Sequence, residues 1–571
     1  MSDIQNSNNE ALESSQTSVE GEARAQEKAS NSDDLERHET PQNESEIPTS
    51  KEIEENLPSL PEKSFKDYLS STVLCFFIAF GGFIFGYDTG TISGFTNMPE
   101  YIDRFRLQTI DSNGNAVTKT YKVGLIVAIF NVGCAFGCLF LSKIADVSGR
   151  RMGIMVAAVV YIVGIIIQIS SQSLEKSWIQ IVIGRLISGF GVGSISVLSP
   201  LFIGETSPKA LRGTLVCCFQ LCVTFGIFIG YCINYGTYHH YSDSRQWRIT
   251  LGLSFAWALI LLGGMLFSPE SPRYLIEKNK IEEAKKSIAR SNSVDPEAPS
   301  VYTEVQMIQA GIDREKLAGN ASWSQLIYGK PKILLRVTTG VTLQCLQQLT
   351  GNNYFFYYGT YIFKSVGLLD SFQTSIVLGV VNFASTFVGI YAIEKLGRRL
   401  CLLLGGVAMA VALLIYATLG TAGDVTIKPQ GDAQIFITTL FIFFFASTWA
   451  GGVYSIISEI YPLRIRSKGM AVATAGNWTW GFLISFFTTS ITDKIGFAYG
   501  YVFFGCVVFG FVFTYLFVYE TKGLSLEEVD QLYASGISAW NSPNWQPPSQ
   551  SEMAYTTGYA RDVKPEEERR E

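Results

Sequence analysis

The sequence predicts an all-α membrane protein of twelve spanning helices in two pseudo-symmetric bundles of six. Three observations predict it. Twelve stretches are long and apolar enough to cross a bilayer. Short charged motifs recur in the two halves, in one order and at nearly one spacing. The composition is too apolar for a soluble enzyme of 571 residues, with 39 Phe, only 16% charged residues and a mean hydropathy of +0.21.

The first element is a tail, residues 1–65. Its residues 1–55 hold 15 acidic side chains against four basic ones (Arg24, Lys28, Arg37, Lys51), with many Ser, Asn and Gln. Such a segment buries too little apolar surface to offset the entropy of ordering it, so it is expected to be disordered. It is polar, so it does not read as a secretory signal, and the first span is expected to be internal.

The spans follow. A spanning helix needs about 20 mostly apolar residues. In the first bundle, 66–268, the qualifying segments are 71–93, 122–141, 152–170, 178–203, 213–234 and 248–268. In the second, 333–519, they are 334–358, 373–393, 400–420, 434–458, 469–491 and 499–519. The first, fourth, seventh and tenth carry polar residues and much Gly, as helices lining a wet path do. Between the bundles lies a polar linker, 269–332, whose stretch 281–290 (IEEAKKSIAR) reads as a short soluble helix. The loops on the linker's side carry about twice the Lys and Arg of the opposite loops, so linker and both tails, 1–65 and 520–571, are expected to face the cytoplasm.

The repeat has three parts. Asp146–Arg151 (DVSGRR) returns as Glu394–Arg399 (EKLGRR), offset by 248 at the Gly. ETSPKALRG, from Glu205 through Arg212, returns as EIYPLRIRSKG, from Glu459 through Arg466, offset by 254. Pro269-Glu270-Ser271 returns as Tyr519-Glu520-Thr521, offset by 250. Duplicated halves with a solute site at their interface are a common plan of secondary transporters.

Several function classes are disfavoured. A net charge of −6 without a basic stripe predicts no nucleic-acid partner. The three histidines fall in the first tail (His38) and in one external loop (His239, His240), which leaves no catalytic histidine. Absence of a GxxxxGK[ST] disfavours an ATP-driven pump. Gly189, Gly191 and Gly193 resemble part of a dinucleotide fingerprint, but with no strand before them they read as helix-packing positions. The ten cysteines lie within or beside apolar runs and read as packed thiols, with no metal site and no cofactor.

What remains is uncharged polarity inside the spans: Gln220, Gln347, Gln348, Asn352, Asn353, Asn382 and Asn477. An amide both donates and accepts without fixed charge, which suits a polyhydroxyl solute. Phe445, Tyr454, Trp478, Tyr357 and Tyr358 lie in the same spans and could stack on a sugar's flatter face. The alternative is that the amides glue helices together. Phe445 and Tyr454 are nine residues apart, about two and a half helical turns, and are expected to share a face of their span. Asp88 and Arg185 are ionisable groups at membrane depth, and such groups are either functional or paired. The repeated charges, Asp146, Arg150, Arg151, Glu205 and Arg212 against Glu394, Arg398, Arg399, Glu459 and Arg466, are expected to form salt bridges across the two halves when the carrier faces outward and to break them when it opens inward.

These motifs resemble the sugar porter family of the major facilitator superfamily, and within it the fungal hexose transporters. The resemblance runs over roughly 60–535 and is carried by FGYDTGTISG (85–94), GRLISGFGVG (184–193), PESPRYL (269–275), QQLTGNNYFFYYG (347–359), VVNFASTF (380–387), EKLGRR (394–399), SEIYPLR (458–464) and ETKGLSLEEVD (520–530). It implies the major facilitator fold and alternating-access transport of a hexose, glucose first, with fructose, mannose and galactose as further candidates. It also implies a plasma-membrane location and a lipid-bilayer environment. Positions matching Gln220, Gln347, Gln348, Asn353, Asn382 and Asn477 contact sugar in such carriers, and the Phe445/Tyr454 combination looks like the glucose-type members. The resemblance places Asp88 beside Arg185, as a static pair or as a proton-coupling site. Facilitated diffusion is the expected mode and proton symport the alternative. A non-transporting sugar sensor is a third reading, disfavoured because such sensors carry a much longer C-terminal tail than residues 520–571. The family also suggests ubiquitination machinery as a partner of the tails.

Overall fold

The computed structural model describes residues 69–546, except 111–115, 173–175, 208–211, 318–322, 330, 357–370, 424–427, 463–464 and 525. The first half holds α1 (Leu69–Phe95), α2 (Thr120–Phe140), α3 (Arg150–Ile169), α4 (Ser177–Thr206), α5 (Arg212–His240) and α6 (Arg245–Phe267). The linker holds α7 (Pro272–Glu277), α8 (Ile281–Asn292) and α9 (Pro299–Leu317). The second half holds α10 (Ile333–Leu349), α11 (Ser371–Leu396), α12 (Arg398–Ala422), α13 (Lys428–Ser447), α14 (Trp449–Glu459), α15 (Arg466–Ile495) and α16 (Tyr499–Phe517), and α17 (Leu526–Ala534) follows.

Among the described residues ten helical stretches are long and apolar enough to cross a membrane, and the last, Arg466–Phe517, joins two of the predicted spans. Eleven of the twelve predicted segments are thereby met. The seventh is shorter: α10 has 17 residues and ends before Gly351, whose φ of +87° turns the chain. The tenth is also interrupted, at Thr448 (φ −134°, ψ −69°), between α13 and α14. One element adds to the all-α expectation: β1 (Gln108–Ile110) pairs antiparallel with β2 (Ala116–Thr118) in the loop between α1 and α2.

The helices are built for lipid. On α12, Leu400, Leu404, Val407, Val411 and Leu414 are exposed at three- and four-residue spacing, while Leu402, Met409, Leu413 and Tyr416 on the other face are buried. An exposed apolar stripe on a helix of 25 residues, about 37 Å long, belongs against acyl chains rather than water.

Packing between helices has a different basis, since lipid gives no hydrophobic drive for helices to associate. Close backbone contact does the work. Gly82, Gly86 and Gly90 of α1 face the carbonyls of Phe219, Val223 and Ile227 on α5, where any Cβ would overlap them. Gly189 and Gly193 of α4 abut α2 at Phe130 and Cys134, and Gly191 abuts α3 at Ala157, so the GxGxG serves helix packing. Within the halves α2 and α3 lie along α4, just as α11 and α12 lie along α13; between the halves α2 lies along α15 and α5 along α11.

Candidate functional site

The charged repeats close two matching clusters on the linker side. Gly149 (φ +100°) and Gly397 (φ +93°) precede α3 and α12 and admit a carboxylate where a Cβ would stand. Glu270 fills the first place and accepts from the backbone N–H groups of Arg150 (2.8 Å), Arg151 (3.2 Å) and Ser271 (2.9 Å). Glu520 fills the second and accepts from Arg398 (2.9 Å), Arg399 (3.0 Å) and Thr521 (3.1 Å). Each carboxylate thus satisfies helix N-terminal donors. Burial pushes the Glu270 carboxyl up, against the backbone N–H groups and Arg150 that pull it down.

The side chains of the same residues form the second layer. Arg150 donates to Glu205 through Nε (3.2 Å) and Nη2 (3.3 Å), and to Asp146 (3.4 Å). Arg398 donates to Glu459 through Nη2 (2.8 Å) and Nε. Ser271 hydrogen-bonds Glu205, and Thr521 hydrogen-bonds Glu459 at 2.5 Å. Arg151 and Arg399 cap carbonyls at the ends of α6 and α16, at Leu266 (3.0 Å) and Tyr515 (2.9 Å). The ion pairs Arg150–Asp146, Arg150–Glu205 and Arg398–Glu459 each close inside their own half; bridges across the halves are expected only when the carrier faces outward. Each Arg sits in the first turn of its helix, within reach of a Glu on a neighbouring helix of its own bundle. Glu394 is exposed and the side chain of Arg212 is outside the described residues.

Between the clusters lies a cleft lined by Pro200, Val216 and Gln220 from one half and by Tyr454, Ser458 and Arg466 from the other, among others. The opposite side is closed by contacts between the halves. Tyr238 stacks on Phe372 with ring centroids 4.4 Å apart, Gln373 donates to Tyr235 Oη (3.3 Å), and Tyr231 donates to the Phe356 carbonyl (3.0 Å).

The amides meet around the broken seventh span. Asn353 donates to Gln348 (2.5 Å), and Gln348 to Asn477 (2.7 Å). Asn477 donates to Gln347 Oε1 (2.8 Å) and to Gln344 Oε1 (2.6 Å). Gln347 donates to the carbonyls of Trp449 (3.0 Å) and Ala450 (3.1 Å), where α14 begins. Four of the six singled-out amides therefore form one chain, anchored at two helix interruptions. Trp478 adjoins it, edge-on to Phe85 of the first half at 5.0 Å, and its indole N–H is buried without an acceptor. Gln220 and Tyr454 line the cleft.

Two residues stand apart. Asn382 is buried on α11, one turn from Thr386, which bonds Thr224 of α5 at 3.2 Å. Phe445 is buried against Phe441 and does not share a face with Tyr454: nine residues are about two and a half turns, which sets the two on opposite faces of a regular helix, and Thr448 interrupts the helix between them. Tyr357 and Tyr358 lie outside the described residues. Asp88 and Arg185 do pair, at 3.1 Å, both almost fully buried, with the guanidinium over the Phe130 ring. Sequence reasoning missed Gln344, although its i, i+3 spacing to Gln347 puts both on one face, and missed the capping role of Glu270 and Glu520, although the third repeat marks them.

Duplicated bundles, helices interrupted beside buried amides, and a cleft between the halves define a secondary transporter of the major facilitator type. Within that class the chain belongs to the sugar transporter family, described as "Sugar (and other) transporter", whose pattern matches residues 74–533. It is 53% identical over 522 residues to the high-affinity hexose transporter HXT6 of Saccharomyces cerevisiae, covering 90% of each chain. It is 52% identical to a low-affinity glucose transporter of Kluyveromyces lactis, over 87% of this chain and 88% of that one. Among solved structures it resembles the proton:xylose symporter XylE bound to 6-bromo-6-deoxy-D-glucose, with a TM-score of 0.69 and 26% identity over 82% of this chain and 99% of that one.

Proposed function

We propose that this multi-pass protein carries hexoses, glucose first, across the plasma membrane by facilitated diffusion, with linker and both tails in the cytoplasm. The observation that carries the reading is the amide chain Asn353–Gln348–Asn477–Gln347 at the break of the seventh span, with Gln220 and Tyr454 on the neighbouring cleft. Amides exchange hydrogen bonds with hydroxyls at little net cost, because each group donates and accepts on both sides of the exchange. In the alternation proposed here, Gln220, Gln347, Gln348, Asn353, Asn382 and Asn477 hold the hydroxyls, while Trp478, Tyr454, Phe445 and Tyr357 supply apolar faces. Rocking the halves along α2/α15 and α5/α11 would move the opening from the linker side to the other, and Arg and Glu of the two clusters would then meet across the halves. The relatives named hexose and glucose transporters support the substrate class. The tails are further proposed as contacts for ubiquitination machinery.

A second reading is proton symport through Asp88. It is favoured by the buried Asp88–Arg185 pair and by the likeness to a proton:xylose symporter. Uptake of labelled glucose, galactose and fructose by a host lacking its own carriers, with and without a protonophore, separates the two. Equilibration without concentration is expected. Concentrative uptake that the protonophore abolishes would establish the symporter, and no flux of any hexose sinks both.

A further inference from the structure

Every amide assigned above except Gln220 comes from the second half. A carrier that alternates must hold its solute from both sides, which calls for a polar group of the first half facing the amide chain. Asn131, midway along α2, is such a group. It is 1% exposed. Its Nδ2 donates across the interface to Ser485 of α15 (3.3 Å). Its Oδ1 is fully buried and has no hydrogen-bond partner among the described residues. A neutral acceptor left so is costly at membrane depth unless something else satisfies it.

The space beside it is informative. Most glycines at these helix contacts, such as Gly133 and Gly189, have no room for a methyl group. Gly481 on α15, one turn before Ser485, is different. A Cβ placed there would meet nothing closer than the Asn131 side chain at 3.6 Å and Asn353 Nδ2 at 3.7 Å. The glycine therefore leaves a gap about one heavy atom wide, with an amide of each half on its rim, and Asn353 connects that rim to the amide chain. Trp478, three residues earlier on α15, carries a second buried polar atom without a partner.

We propose that Asn131 is a specificity-determining residue that takes one hydroxyl of the sugar from the first half, opposite Asn353, in the gap that Gly481 leaves open. This rests on the hexose reading. The competing role is adhesion, with Asn131 holding α2 to α15 through Ser485. The two roles differ in what Ser485 does: it is essential to adhesion and incidental to recognition.

The test uses the full chain in cells lacking their own hexose carriers. Glucose analogues that each lack one hydroxyl compete with labelled glucose uptake, and surface amounts are measured in parallel. In the unaltered chain each missing hydroxyl should weaken competition to its own extent. Asn131→Ala should lower apparent glucose affinity about fivefold, the worth of one neutral hydrogen bond, and erase the penalty for one analogue while leaving the others. Ser485→Ala should keep all the penalties. Gly481→Ala, which fills the gap from the other wall, should also lower affinity at an unchanged surface amount. If Asn131→Ala does not reach the membrane, Asn131→Ser is read in the same way. The inference is overturned if the Asn131 variant keeps every penalty, if Ser485→Ala erases the same one, or if Gly481→Ala competes normally. Absence of glucose uptake by the unaltered chain would instead overturn the hexose reading together with this one.

Discussion

The closed side of the interface is the place to test alternation directly. Tyr238 of α5 stacks on Phe372 of α11, with centroids 4.4 Å apart and ring planes 23° from parallel, and Phe372 is 5% exposed. Such a pair contributes about 1 kcal/mol beyond its burial. It joins the two halves on the side opposite the cleft, so it stabilises only the conformation whose cleft opens on the linker side. Tyr238→Ala should lower the ratio of linker-open to linker-closed carrier about fivefold. For a carrier with no driving force but its substrate gradient that ratio lies near one, so the open fraction should fall from about one half to about one sixth. Cys217 lines the cleft and supplies a native reporter. With the other nine cysteines replaced, its labelling by an impermeant thiol reagent from the linker side should slow about threefold. Phe372→Ala should slow it equally, and the double variant little further, because both remove one contact. An unchanged or faster rate in both single variants would refute the claim that this stack holds one of two alternating states.

Other outcomes follow from the same geometry. Asn477→Ala removes three hydrogen bonds' worth of contact between α10 and α15, the Oδ1 accepting from Gln348 and the two N–H groups sharing acceptors on Gln344 and Gln347; at roughly 0.6 kcal/mol each in a membrane it should cost about 2 kcal/mol of stability, read by thermal unfolding in detergent, and should abolish sugar protection in the same assay. Gln220→Ala touches only the cleft wall, so it should raise the half-saturation concentration for uptake while leaving the unfolding temperature unchanged. Asp88→Asn leaves Arg185 buried and unpaired, and should reduce the folded amount severely; if the pair is static, Asp88→Asn with Arg185→Gln should restore equilibrating uptake. Gly149→Ala and Gly397→Ala each force a side chain into φ near +100° against Glu270 or Glu520, and should destabilise by similar amounts, a few kcal/mol in each half.

The spans were legible because a bilayer demands long apolar runs, and helix bounds follow the predicted segments closely: α3 begins at Arg150 where 152 was expected, and α12 at Arg398 where 400 was expected. Interruption of two spans was less legible. Gly351 sits among Thr and Asn, which hints at a turn, but nothing local marks Thr448, and the Phe445–Tyr454 spacing argument fails already by half a helical turn. Amide chemistry alone recommends the set, of which Gln347, Gln348, Asn353 and Asn477 meet in one chain while Gln220 and Asn382 lie elsewhere, and the wiring of that chain, with Gln344 as a partner of Asn477, depends on how α10 meets α15. Bridges across the halves are expected of the repeated charges only when the carrier faces outward, and how the same charges pair in the linker-open state depends on distances that repetition does not give. Asn131 escaped notice for the same reason: one amide in an apolar helix carries no signal until a partner helix stands opposite.

The within-half pairing of the charges bears on how such a carrier can move at all. Each cluster ties several chain segments of one bundle: Arg150 joins α3 to α4 through Glu205, and Glu270 carries the end of α6 to the start of α3, with Arg398, Glu459 and Glu520 doing the same for α12, α14 and the end of α16. Linker-side ends of each bundle are thereby stiff. Contacts between bundles are of another kind: the Tyr238–Phe372 rings, a Thr224–Thr386 hydroxyl pair, Asn131 on Ser485, and a thiol–hydroxyl contact of 4.0 Å between Cys217 and Ser455. Each of these is individually weak. A carrier whose two open states must differ little in free energy needs this division, because strong bonds across the interface would trap one state and weak bonds within a bundle would let it deform instead of rock. In the linker-open state the repeated carboxylates and guanidinia thus hold each half as a rigid body, and the weak contacts between the halves let the two bodies exchange positions.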